Sequence, residues 1–551
     1  MYRSLHSSYR PTTMATNGMI TTPHYLASQA GMKVLQEGGN AVEAAIAAAS
    51  TIGVVYPHMN GIGGDNFWLI YNSHNKELRA LNSSGRSGEL ATIDFYKKQG
   101  LEKIPPRGAL AANTIPGAIA GWEKAFRYSV ENMRGYFRWE ELLQSAIGYA
   151  KDGYPVTPSQ EYWTRVNLDE TDNQFRCLQK YSEFKKIFTT SSGLSYSVGE
   201  LMKQPDLAIT LEGIAEEGSD LFYKGMLAKS ITEDLNAYGG ILTAEDFASH
   251  HSDWVEPISV DYRGHTVYNL PPNTQGFASL SILNILNQFD VPSLTEGSAD
   301  YYHLLIEATK LAFEDRDRYL TDPDFSYIPL EKLLSSKRGE ELARKIKFNK
   351  SNQLEKRLDP KGDTVWLGVV DRYGNSVSLI QSIYHEYGSG FIPKNTGIVL
   401  QNRGSFFSLN ENDVNCLQPK KRTYHTLNPA MLFKGGEPYL VYGTMGGEGQ
   451  PQTQAALVTR IIDYHYSVQA AIEAPRWLYG RTWGAESNSV KVEGRISSDI
   501  CRELKEIGHE IERVSDFSDI MGHAGAILIN PDSKIKYGGA DPRGDGAALG
   551  Y

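Results

Sequence analysis

Apolar residues change their period along this chain near residue 363. From about 116 to 350 they recur at helical spacing in WEKAFRYSVENM, WEELLQSAIGYAKDG, DLAITLEGIAEEG, MLAKSITEDLNAYGG and YYHLLIEATKLAFEDRDRYL, which predict helices. After Asp363 they alternate in twos, and TVWLGVV, SVSLIQSIY, GIVLQN, PAMLF and PYLVYG predict strands. Helices follow in QPQTQAALVTRIIDY, SVQAAIEAPRWL and SSDICRELKEIG, and the end of the chain reads as a hairpin and tail. Near the start, TTPHYLASQAGMKVLQEGG predicts a helix ending at Gly38-Gly39. Asn40 and Glu43 then have the spacing of a capping box for the Ala-rich helix that follows. PHMNGIGGDNFWLIYN passes from a glycine loop into an apolar strand, and KELRALNSSGRSGE predicts a second strand with a polar loop. Residues 1–18 read as a mobile lead. With no repeat and no low-complexity linker, this pattern describes a layered α/β protein.

The 551 residues suffice for a large core, and the formal charge of −10 lacks the basic footprint of a nucleic-acid or anionic-membrane partner. The three cysteines, Cys177, Cys416 and Cys501, lie far apart, so neither a disulfide framework nor a zinc site is expected. The polar start lacks the apolar region of a signal peptide. The longest apolar stretch, Ala41–Tyr56, is too short to span a bilayer and carries Glu43. These features predict a soluble, cytoplasmic protein.

The chemistry concentrates at the change of period. TVWLGVV and SVSLIQS flank the Gly-containing loop Asp371–Asn375, the signature of a hairpin. Pairing Val370 with Ser376 and counting outward sets Thr364 opposite Ser382. One reading is that a strand begins at Thr364. The other is that the Asp363–Thr364 bond breaks and the new N-terminus catalyses. A threonine hydroxyl is a weak nucleophile, and an N-terminal threonine carries its own base in its α-amino group. That amine ordinarily titrates at about 7.7–8.0 and is partly neutral near neutral pH.

Three stretches occur in order: Gly38–Tyr71, the hairpin from Thr364 to Ser382, and Tyr442–Thr453 (YGTMGGEGQPQT). With the ending GGADPRGDGAALGY, they resemble the γ-glutamyltranspeptidase family of N-terminal-nucleophile (Ntn) hydrolases, over about Met19–Tyr551. The resemblance implies a four-layer αββα sandwich and a proenzyme that cuts itself between Asp363 and Thr364. It implies a large subunit, 1–363, and a small one, 364–551, that stay together, with a heterotetramer left open. By position Thr364 matches the nucleophile, Ser382 the hydroxyl that holds its amine, and Gly446 and Gly447 the oxyanion donors. No cofactor or metal is implied.

Departures from the family's pattern bear on the substrate. Phe406 stands where typical members carry an acid, and Arg403 where they carry a neutral amide. His425 and Thr426 match the paired serines that contact a carboxylate. The upstream carboxylate-binding arginine falls near Ser84, with Arg86 two residues on. The segment between Ser408 and Arg422 is short, which predicts a missing lid. An α-ammonium facing Phe406 lacks a counter-charge, whereas Arg403 favours a carboxylate beside the scissile amide. The pattern resembles the lidless branch that includes oxamate amidohydrolases and glutathione-hydrolase-like proteins. Hydrolysis of a small carboxylate-bearing amide of the oxamate type is expected. A γ-glutamyl hydrolase or transferase, and an unprocessed binding relative, remain as alternatives.

Other features have plainer readings. His250-His251 lacks ligand-spaced partners beyond Asp253, and neither GIGGDN nor GTMGGEGQ has the form of a phosphate loop. Asp541, Arg543 and Asp545 read as a structural charge cluster, and Phe313–Leu320 as a solvated helix face.

Overall fold

The computed structural model describes residues 8–169, 176–352, 363–480 and 489–551. Two antiparallel seven-stranded sheets carry the architecture. In spatial order one contains Ala547–Gly550, Met19–Thr22, Asp363–Val370, Ser376–Tyr384, Asp65–Asn72, Glu77–Ser83 and Asp253–Val255. The other contains Thr13–Ala15, Lys536–Ala540, Ala524–Ile529, Glu437–Thr444, Ala430–Lys434, His265–Asn269 and Ile258–Tyr262.

Alternation within strands builds the layers. Trp366, Val370, Ile380, Met431, Phe433, Val441 and Ile527 pack together between the sheets. Their sequence neighbours Leu367, Val369, Val377 and Leu379 turn outward against the helices Tyr25–Gln36, Ala41–Val55, Ala118–Asn132 and Trp139–Asp152. On the far side Ala430, Leu432, Leu440 and Tyr442 meet Gly276–Leu286, Ala299–Tyr319 and Gly449–Ile462. Helices, two sheets and helices make the expected αββα sandwich. Trp366 spans the gap because glycine faces it: a Cβ at Gly443 would lie 2.3 Å from its ring.

Two local devices fix the central hairpin. Asn40 accepts from the N–H groups of Val42 and Glu43, and Glu43 accepts from Asn40 N at 2.8 Å, closing the expected capping box. Glu43 is buried and also accepts from Tyr136 N and Phe137 N, which compensates its desolvation. Asp371, in the hairpin turn, accepts from Tyr373 N and Asn375 N and, through its other oxygen, from Ala41 N at 3.1 Å. The turn is thereby pinned to the first residue of the Ala-rich helix.

The N-terminal lead departs from expectation. Thr13–Ala15 pairs with Lys536–Gly538, and the N–H groups of Tyr9 and Arg10 donate to Glu473. Backbone pairing orders a segment whose composition looks mobile; residues 1–7 lie outside the described residues. Of the charge cluster expected near the C-terminus, Asp541 and Arg543 make structural ion pairs, whereas Asp545 has none among the described residues and its Oδ2 lacks a hydrogen-bond partner there. Arg543 pairs with Glu493 at 2.6 Å, and Asp541 with Arg476 at 2.5 Å, all buried. Among the described residues no helix is long and apolar enough to cross a membrane.

Gly443→Ala should overpack the Trp366 site, a class of change that costs about 1–3 kcal/mol. A lowered thermal midpoint is the expected result.

Candidate functional site

The strand carrying Thr364 is hydrogen-bonded on both edges. Val370 pairs with Ser376 as counted from the sequence, and the register holds to Val365 opposite Gln381. It then shifts, because Asp363 lies opposite Tyr384. One residue, Thr364, therefore faces two, Ser382 and Ile383, across a β-bulge. Simple counting misses this, since an inserted residue leaves no mark in the alternation. A bulge bends the strand and re-aims side chains at its end. The Ser382 hydroxyl accepts from Tyr384 N at 2.8 Å, and Ser382 pairs on its other side with Asp65. Thr364 is buried, and its position two residues from Trp366 sets it on the inter-sheet side.

Strand Glu437–Thr444 crosses that side and brings a glycine loop with it. A Cβ at Gly368 would lie 3.4 Å from Val441, and one at Gly443 2.3 Å from Trp366. Two residues further in the same antiparallel step, Thr364 falls beside Met445, and Val365 and Met445 share one apolar cluster. Gly446 and Gly447 come next, with φ of 115° and 53°. A left-handed pair of this kind suits glycine and turns successive N–H groups the same way. Neither N–H has an acceptor among the described residues. The loop is held from behind by Met445 N donating to His523 O at 3.1 Å.

Arg403 lies on a turn stitched to the end of the same hairpin. Asn402 N donates to Ile383 O at 3.2 Å, and the Asn402 side chain accepts from His385 N at 3.1 Å. The Arg403 guanidinium is 1% exposed and lies over the Tyr384 ring at 4.2 Å, with Phe406 at 5.2 Å. Its one hydrogen bond among the described residues is a long one, from Nη1 to the Thr426 hydroxyl at 3.5 Å, while Nε and Nη2 have no acceptor. No carboxylate of the described residues lies within ion-pair distance of it. Burial lowers its pKa to about 10, which still leaves a cation at neutral pH.

His425, next to Thr426, is buried with its Nε2 3.1 Å from Asp65 Oδ2, off the line of a hydrogen bond. Desolvation, and then the neighbouring Arg403, pull its pKa to about 4, so the imidazole is neutral. Asp65 is itself fixed by Gly85 N, Gly117 N and the Gln401 amide. Phe406 belongs to a column of rings: Tyr384 lies 4.4 Å on one side and Tyr424 4.5 Å on the other.

Arg86 does not join Arg403. Asp322 and Asp324 hold it at 3.0 and 2.6 Å, and its Nη1 also donates to Lys420 O, so its charge is already matched. Residues 408–422 fold back on themselves, with Ser408 bridged to Cys416 and Lys421 Nζ donating to the Val414 and Cys416 carbonyls. The helix face at Phe313–Leu320 is also not all solvated. Arg316 is buried, donating to Glu448 at 2.8 Å and to Gln275 Oε1 at 3.2 Å. Its charge spacing resembles that of an exposed face, so only tertiary packing reveals it. Asp65 and Gln275 carried no sequence signal either.

Among the described residues one group has metal-ligand types, His303, Glu307 and His509. Lys310 Nζ lies 2.9 Å from Glu307 Oε1, and Ser351 and Asn352 take the rest of that carboxylate. The cluster thus holds an ammonium as its cation and ties Ser351, before residue 353, to His509.

The chain as a whole is similar to proteins of known family. The γ-glutamyltranspeptidase family profile matches residues 27–551. The chain is 46% identical to the glutathione hydrolase-like YwrD proenzyme of Bacillus subtilis over 538 residues, covering 98% of this chain and 99% of the relative. It is 43% identical to the oxamate amidohydrolase proenzyme of Klebsiella pneumoniae over 547 residues, covering 99% and 100%. The crystal structure of cephalosporin acylase from Bacillus halodurans superposes with a TM-score of 0.89 at 37% identity, over 100% of this chain and 99% of that one. Fold and relatives define a hydrolase of the Ntn class. Within that class, the chain belongs to the γ-glutamyltranspeptidase family.

His425 also predicts a pH response. Its folded-state pKa of about 4 lies below the ordinary imidazole value, so between the two the unfolded chain takes up a proton the folded chain refuses. Stability should fall as pH drops through that window. The thermal midpoint of His425→Asn should fall less than that of the wild type between pH 7 and 5; equal falls would contradict the assignment.

Proposed function

We propose that this protein is a self-processing amidohydrolase that cleaves a small amide bearing a carboxylate next to the scissile carbonyl, with oxamate as the model substrate. The observation that carries this reading is the buried Arg403 guanidinium with unpaired Nε and Nη2. A buried, uncompensated charge is costly, and a carboxylate ligand removes that cost through two parallel hydrogen bonds. The 43% identical oxamate amidohydrolase proenzyme supports the same substrate class.

In the continuous chain the Thr364 nitrogen is an amide. Its hydroxyl attacks the Asp363 carbonyl, the C–N bond breaks, and the Asp363 acyl group passes to Oγ. Water then hydrolyses the ester and leaves a free α-amino group. In turnover that amine takes the Oγ proton while Oγ attacks the substrate amide carbon. The developing oxyanion lies against the Gly446 and Gly447 N–H groups. The C–N bond of the substrate breaks, and the nitrogen leaves as ammonia with the transferred proton. Water attacks the acyl ester, giving the dicarboxylate product and the threonine hydroxyl. Arg403 and Thr426 hold the carboxylate, and His425 lines the pocket as a neutral group.

A γ-glutamyl substrate fits less well. Its α-ammonium would face Phe406, inside the ring column, and Arg403 beyond it. An acid placed at Phe406 would pair with Arg403 before it could serve a substrate.

Two variants test this. Thr364→Ala should accumulate as one uncut chain with no ammonia release from oxamate, whereas the wild type should yield a smaller fragment beginning Thr-Val-Trp-Leu. Arg403→Met should still be cut but lose roughly a hundredfold or more in kcat/KM, as expected for removing one partner of a buried charge pair. Full oxamate turnover by Arg403→Met would refute the proposed anchor.

A further inference from the structure

We infer that Gln275 is a positioning residue that sets the distance between the carboxylate pocket and the oxyanion loop, and so selects substrate length. This inference rests on the proposed reading of the site. Gln275 is buried at the start of helix Gly276–Leu286. Its side-chain nitrogen donates both hydrogens, one to Thr426 O at 2.7 Å and one to Gly447 O at 2.9 Å. One of these carbonyls belongs to the residue whose hydroxyl meets Arg403, the other to a candidate oxyanion donor. A single amide thus ties together the two places a substrate must reach at once.

The amide cannot turn over. Its oxygen accepts from Arg316 Nη1 at 3.2 Å, and a guanidinium only donates, so the oxygen must face it. Arg316 is held in turn by Glu448, one residue beyond Gly447, and by Asp317 at 2.7 Å. The backbone completes the frame: Gln275 N donates to His425 O at 2.9 Å. Pocket wall, oxyanion loop and helix start are therefore joined through one side chain. The Arg403 turn is anchored through Asn402 N to Ile383 O, and the glycine loop separately through Met445 N to His523 O. Without the bridge each keeps its own support, and the spacing between them becomes adjustable. Small misplacements of a bound amide cost large factors in rate.

The test uses three amides of growing length: oxamate, malonamate and succinamate. The wild type should prefer the shortest. Gln275→Met, of similar size but without the hydrogen bonds, should lower the kcat/KM ratio of oxamate to malonamate at least tenfold. Self-cleavage should remain complete. Gln275→Glu keeps the bulk and the Arg316 contact while removing the donor, and it should show the same relaxation if the Met variant does not fold. Equal loss on all three amides, or an unchanged ratio, overturns the inference while leaving the proposed function in place. Turnover of none of the three by the wild type overturns the proposed function and this inference with it.

Discussion

A strand hydrogen-bonded on both edges cannot slide without breaking its neighbours' ladders, and the strand Asp363–Val370 is held in this way at Gly368–Val370, with one edge paired as far as Val365. Met19–Thr21 pairs with one edge and Ser376–Gln381 with the other. The neighbours belong to both sides of the Asp363–Thr364 bond. A cut there therefore changes the covalent chain without separating the sheet, because Asp65–Tyr71 still pairs with Ser376–Ser382 and Ala547–Gly550 with Met19–Thr22. On the proposed reading of Thr364, a ladder that is regular as far as Val365 helps to aim a weak nucleophile, since orientation supplies much of the rate in such a site.

The rest of the site is referred to that strand end. The glycine loop arrives on the facing sheet, where Trp366 packed against Gly443 sets the alignment of the two layers. The Arg403 turn arrives from the hairpin's other strand through Asn402. That turn carries a cation held by aromatic faces rather than by an acid. Aromatic rings offer a guanidinium a face without neutralising it, which keeps the charge available to an anion. An acidic residue in place of Phe406 would end that availability.

Much of this was legible in local chemistry. Turn residues Asp371–Asn375 announce the hairpin, Asn40 and Glu43 announce the helix cap, and the consecutive glycines Gly446 and Gly447 mark a loop of positive φ. Each depends on residues close in sequence. What was not legible depends on distant packing. The bulge opposite Thr364 adds a residue without altering the alternation that precedes it. Arg316 has the charge spacing of an exposed helix, yet it is buried against Glu448 and Gln275. Arg86 looks available until Asp322 and Asp324 close on it. The lead at Thr13–Ala15 gains order from strand Lys536–Ala540, more than five hundred residues away.

The central claim is that Arg403 receives a carboxylate at the site built around Thr364. The most direct measurement is a crystal structure of the Thr364→Ala protein with oxamate bound. The account predicts the carboxylate on Arg403 Nε and Nη2, with the amide carbonyl directed at Gly446 and Gly447. Oxamate bound at Arg86, or an Arg403 guanidinium that pairs with a protein carboxylate while oxamate lies elsewhere, would contradict it.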